Sequence, residues 1–107
     1  MLGQSYKTDR ATGIAAIAYA LTFTAEALVR EVRLHLSGAA GVETLTLSID
    51  AGAGAAYDAV LDTKAMNGLT DYYYRPDVPM HFVTGDALKL TLTNAGGLTW
   101  GLETIFE

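Results

Sequence analysis

A chain of 107 residues makes one domain with a single core, and its lack of cysteine excludes disulfides, thiolate metal sites and thiol catalysis. A net charge of −5, with no run of Lys or Arg, excludes the basic footprint that nucleic acid or an anionic membrane surface demands. Half of the residues are hydrophobic and only 18% are charged. So small a core cannot hide that much apolar surface, so part of it is expected to lie against another subunit.

Taken in chain order, Met1–Arg10 has no apolar stretch ahead of its charges and does not read as a secretory signal. Residues 1–12 are polar and show no alternation. They are read as an extended N-terminal arm, either a frayed terminus or a segment that orders on a neighbouring subunit. A single β-sandwich domain is expected over 13–107. Gly13–Phe23 is alanine-rich and too short to cross a bilayer, which takes about 20 residues. From Ile14 to Thr24 the pattern alternates, with Ile17, Tyr19, Leu21 and Phe23 on one face. Thr24–Arg30 offers one helical turn but reads better as a bend. Leu28–Leu36 predicts a second strand, with Val32, Leu34 and Leu36 inward and Glu31, Arg33 and His35 in water. Glu43–Asp50 is the clearest strand, because Leu45, Leu47 and Ile49 alternate with Thr44, Thr46 and Ser48.

A flexible loop is expected at 51–56, a short strand at Tyr57–Leu61, and a loop from Asp62 to Asp71 containing the turn pair Asn67-Gly68. Tyr72–Tyr74 is β-prone and is cut by Pro76 and Pro79, which place it at an edge or a crossing. Met80–Val83 is a short strand and Gly85-Asp86 a turn. Leu88, Leu90 and Leu92 alternate in the next strand. Asn94–Gly97 is expected to close a hairpin onto Leu98–Phe106, where Trp100, Leu102, Thr104 and Phe106 share a face and Trp100 is core. The sum is an all-β antiparallel sandwich or jelly roll of about seven or eight short strands.

No pattern in the chain assembles a catalytic centre. His35 and His81 lie in strands without zinc spacing, so a solvated role is expected. Asp50, Asp58, Asp62, Asp71, Asp77 and Asp86 mostly fall at strand ends but form no calcium-loop pattern. Gly52 and Gly54 are too few for a phosphate loop, and no G-x-S-x-G elbow occurs. No enzyme activity, cofactor, metal or small-molecule substrate is therefore expected. The unusual feature is Tyr72-Tyr73-Tyr74-Arg75. Alternation forces at least one face of it to show tyrosine outward, and Tyr and Arg are enriched at interface centres. Candidate partner-contact residues are Leu2, Tyr6 and Arg10 in the arm and Tyr72, Tyr73, Tyr74 and Arg75 in this tract.

The polar arm, the strand pair Val32–Leu36 and Leu45–Asp50, the turn-and-strand Gly85–Asn94 and the closing Trp100-Gly101-Leu102 resemble the small jelly-roll or β-sandwich structural proteins of tailed phages, including head-decoration and tail-associated subunits. The resemblance implies a virion protein assembled in the host cytoplasm. It further implies a homo-oligomer, often a trimer, seated on a major capsid or tail protein, with no catalytic residues. A carbohydrate-binding or adhesion module is the competing expectation, with exposed tyrosines as platform and strand-end aspartates for sugar hydroxyls or Ca²⁺.

Overall fold

The computed structural model describes residues 6–107. Nine strands alternate between two facing sheets: β1 (Lys7–Gly13), β2 (Ile17–Thr22), β3 (Ala27–Leu36), β4 (Thr44–Asp50), β5 (Ala59–Ala65), β6 (Asp71–Tyr74), β7 (Met80–Phe82), β8 (Ala87–Leu92) and β9 (Trp100–Phe106). One sheet has the order β1-β9-β3-β6, with β7 also on β3; the other runs β2-β8-β4-β5. All these pairs are antiparallel. Only the β4–β5 and β6–β7 connections stay within a sheet; every other one crosses the sandwich. That is the jelly-roll arrangement of two interleaved Greek keys.

Period-two alternation puts the cores of both sheets face to face. Val32, Leu34, Leu36 and Leu102 from one sheet meet Ile17, Leu45, Leu47, Leu88 and Leu90 from the other, and all are buried. Each such side chain contributes about 1.5–3 kcal/mol relative to leaving it in water. In β3 the inward residues step from Val29 to Val32, because a bulge at Arg30 inserts one residue opposite β9. Phe23 and Phe82 close one end of the core, with ring centroids 5.0 Å apart.

Two tyrosines fasten the sheets to each other at the open sides. Tyr19 of β2 donates its hydroxyl to Asp9 of β1 at 2.6 Å and also meets Thr104 at 3.0 Å. Tyr72 of β6 donates to Asp62 of β5 at 2.6 Å. Burial pushes both phenols well above their ordinary range, and the carboxylate beside each adds to the shift.

Several expectations change. The stretch read as an arm is a strand from Lys7: β1 pairs along its whole length with β9, so the sandwich begins earlier than Gly13, and residues 1–5 lie outside the described residues. This edge strand shows no apolar alternation because its inward residues are the charged Asp9 and the small Ala11. Asn94–Gly97 does not close a hairpin, since β8 and β9 belong to different sheets. Turn chemistry shows that the chain reverses, not which sheet receives it. The strand placed at Tyr57–Leu61 runs instead from Ala59 to Ala65, after a 3₁₀ turn at Ala55–Tyr57, so Asp62 is in a strand rather than a loop. A bulge at Leu61, between Val60 and Asp62, breaks its alternation.

Candidate functional site

The outward side chains of the β1-β9-β3-β6 sheet stand in rows set by the strand register. Thr12, Gly101, His35 and Asp71 form one row; Arg10, Glu103, Arg33 and Tyr73 form the next. Gly101 brings no side chain to its place, and a groove of about 650 Å³ opens above it, walled by the residues of both rows. A Cβ built at Gly101 would meet nothing within 4 Å, so the opening comes from the missing side chain and not from backbone distortion.

Electrostatic pairing fixes the groove walls. Arg10 Nε lies 2.6 Å from Glu103 Oε2, and Arg33 Nη2 lies 3.7 Å from the other Glu103 oxygen. Arg33 also pairs with Glu31 at 2.8 Å, and Glu31 pairs in turn with Arg75. The Arg75 guanidinium sits over the Tyr73 ring, 5.8 Å from its centroid. His35 Nδ1 meets Asp71 Oδ1 at 2.7 Å, which draws the imidazole toward β6 and away from Gly101. The hydrogen bond from Arg10 holds the Glu103 carboxyl below the usual carboxylate range. His35 does the same for Asp71, helped by the Thr70 hydroxyl. Both acids are therefore ionised acceptors at neutral pH. Exposed ion pairs of this kind add little to stability individually, yet as a network they limit side-chain freedom.

The expected partner-contact residues separate. Arg10, Tyr73 and Arg75 do share the outer face, where Tyr73 is 58% exposed. Tyr72 is 4% exposed and part of the core, so it offers nothing to a partner; its place opposite Leu34 gives it the inward side of β6. Tyr74 is half-buried against the same core. Tyr6 is exposed at the other end of β1, with the Arg30 guanidinium 5.6 Å over its ring and Arg30 paired to Glu107. Leu2 lies outside the described residues. What sequence reasoning missed is Gly101, with His35 and Glu103 beside it. The glycine in an otherwise alternating β9 was the available signal, because a glycine inside a strand often marks a close approach or an opening.

His35 and His81 are both exposed strand residues. Among the described residues no three His, Asp or Glu side chains gather closely enough to hold a metal ion. No helix among them is long and apolar enough to cross a membrane.

No protein-family model matches the chain, and no curated protein matches it. Among solved structures it is similar to a chain of the cowpea mosaic virus empty virus-like particle, at 9% identity and a TM-score of 0.52, over 100% of this chain and 84% of that one. A structure of PirA aligns at 16% identity and a TM-score of 0.48, over 98% and 94% of the two chains. A structure of infectious bursal disease virus, Gx strain, aligns at 14% identity and a TM-score of 0.39, over 96% of this chain but 32% of that one. The last two likenesses are too loose to build on. The first establishes that the sandwich is a fold used in a virus particle, and at that identity it speaks of the fold alone.

Proposed function

We propose that the chain is a virion structural protein that acts through contacts between copies of itself, and within that class a capsid decoration or cement subunit of a tailed phage. One observation supports this reading above the others: the free edge of β2. A two-sheet sandwich has four edge strands, and an edge is a template for further pairing unless something blunts it. β1 carries Lys7, Asp9 and Arg10; β5 carries a bulge with Asp62 and Lys64; β6 is four residues long and is followed by Arg75-Pro76. β2, Ile17–Thr22, has no charge, no proline and no bulge, and no strand lies beyond it among the described residues. Its outward Ala18 continues into Thr91 and Thr46, and its Ala20 into Lys89 and Ser48, a surface of mostly short side chains, which lose little entropy on contact.

The occupant is a second copy, pairing β2 against β2 about a twofold axis to join two four-stranded sheets. Use of the same fold in the cowpea mosaic virus particle is support by analogy. A tail or baseplate location would use the same contact. The trimer that the phage resemblance implies would need β2 to meet a different strand of the neighbour.

Sedimentation of the full chain tests this. A dimer at micromolar concentration that Ala18→Lys converts to a folded monomer supports it. A wild-type monomer at about 100 μM, or a dimer indifferent to Ala18→Lys, refutes it. Imaging of particles carrying the protein separates head from tail. An arm contact is tested by a cut before Lys7, since removing residues 1–12 would take β1 out of the sheet as well.

A further inference from the structure

The outer-sheet groove carries a second role, independent of the β2 edge. We propose that it is a binding site for a neutral saccharide, a pyranose seated over Gly101 with Tyr73 as its aromatic wall. Three features of the groove lead there.

The first is shape. About 650 Å³ is within the ordinary range of ligand sites and roomy enough for one or two sugar rings. The groove exists because one position in the row, Gly101, is left empty between Thr12 and His35. The second is the kind of surface offered. Tyr73 presents an exposed ring, and Arg75 at 5.8 Å from its centroid steadies it without burying it. A ring with one face held and much of its area exposed suits the C–H face of a sugar. Around it stand groups with hydrogen-bonding capacity to spare. The Glu103 and Asp71 carboxylates accept, while the guanidinium N–H groups of Arg10 and Arg33 donate. Carboxylate and guanidinium forks match the vicinal hydroxyls of a pyranose in pairs.

The third is charge, and it selects among ligands. Arg10 and Arg33 are balanced within the groove by Glu103 and Asp71, so an anion meets no uncompensated positive charge, and the chain as a whole carries −5. A cation fares no better, because each carboxylate already has a partner. A neutral polyol loses nothing to this balance and uses both kinds of group at once. His81, Asp86 and the pocket beside Lys89 offer no comparable combination of open floor, aromatic wall and paired charges.

The test uses the full chain on an array of neutral oligosaccharides, with uronic-acid- and sialic-acid-terminated glycans as charged controls. Hits are followed by NMR titration with the corresponding methyl glycosides. We expect Kd values of about 1 mM or tighter for at least one neutral sugar, with shift changes confined to β1, β3, β6 and β9. A Cβ at Gly101 has open space, so Gly101→Leu should fill the groove, keep the fold by thermal unfolding and weaken binding at least tenfold. Tyr73→Ala should do the same, and Thr63→Ala on the opposite sheet should not. No neutral sugar bound by folded protein overturns the proposal, as does binding of acidic glycans only, or neutral-sugar binding that survives Gly101→Leu.

Discussion

Replacing Asn94 should cost more than any other single surface-loop substitution in the molecule. Asn94 is 5% exposed and its side chain ties three connections together. Its Nδ2 donates toward the Ile14, Ala15 and Leu98 carbonyls at 3.2, 3.0 and 2.9 Å, and its Oδ1 accepts the Leu98 N–H at 3.1 Å. The two amide hydrogens and the one acceptor make three hydrogen bonds of about 1 kcal/mol each, or about 3 kcal/mol together. Asn94 also has φ 53°, where alanine is disfavoured by about 1 kcal/mol and glycine is not. Asn94→Gly should therefore lose about 3 kcal/mol and Asn94→Ala about 4, against a total stability of about 5–15 kcal/mol. At a urea slope of about 1.3 kcal/mol/M, the midpoints fall by about 2 and 3 M. Asn94→Asp should fare no better than alanine, since it loses both donors and sets a carboxylate against three carbonyl oxygens. Urea titration followed by Trp100 emission is the assay. Trp100 is the only tryptophan, and its indole N–H donates to the same Ala15 carbonyl, so it reports on this corner. An Asn94→Gly midpoint within about 0.5 M of wild type would show that the side-chain bonds are not what holds the corner.

Tyr72→Phe and Tyr19→Phe should each lose about 1 kcal/mol of unfolding free energy, and the double variant the sum, because the two hydroxyls clamp opposite sides of the sandwich. Both phenols titrate higher in the folded chain than the ordinary 10.0, so their contribution is whole below about pH 10 and is lost as pH rises past it. Thermal melts at pH 9 to 11 should therefore fall less steeply in the double variant. At acid pH the sign reverses: Glu103 titrates below its usual 4.5 when folded, so its stabilisation is present above about pH 4.5 and disappears as pH drops through the folded value. Glu103→Gln should flatten that limb between pH 5 and 3. Gly52→Ala should cost about 1–3 kcal/mol, because its Cβ would lie 2.7 Å from the Gly85 backbone carbonyl; an unchanged melt would mean that the two loops separate freely.

Strands with one wet face were legible from sequence because burial follows period two. Leu45 and Leu47 in β4, and Trp100 and Leu102 in β9, are buried where alternation put them. Topology was not legible, and Asn94–Gly97 shows why: a turn between two alternating strands looks the same whether they pair side by side or face each other across a core. β1 was hidden for a different reason. Its inward residues are Asp9 and Ala11, so its membership of the sheet rests on backbone pairing to β9 and on the Tyr19 hydroxyl, neither of which has a local signature. The groove was half visible. Alternation put Tyr73 on the face opposite Tyr72 and Tyr74 without saying which face is buried, and the meeting of Arg10, Glu103 and Arg33 depends on three strands far apart in the chain.

The two faces of the sandwich differ in what they can do, and the difference is testable in one molecule. The β2-β8-β4 face is mostly short-chained and carries only Lys89 and Asp50 as charges in its outward rows, whereas the opposite face holds a chain of paired charges from Arg10 through Glu103, Arg33 and Glu31 to Arg75. A flat face with few charges and a free edge suits burial against another chain, because it brings little charge to desolvate. A grooved, ion-paired face suits a polar ligand that leaves again, because its charges remain in water. The faces stand on opposite sides of a packed core about 10 Å thick and share no side-chain partner. Substitutions on them should therefore act independently. In a chain carrying both Ala18→Lys and Gly101→Leu, the shift in the association constant should equal that of Ala18→Lys alone, and the loss of saccharide affinity should equal that of Gly101→Leu alone. A monomeric Ala18→Lys protein that no longer binds sugar would contradict this division, because it would mean that the groove is completed by the neighbouring copy.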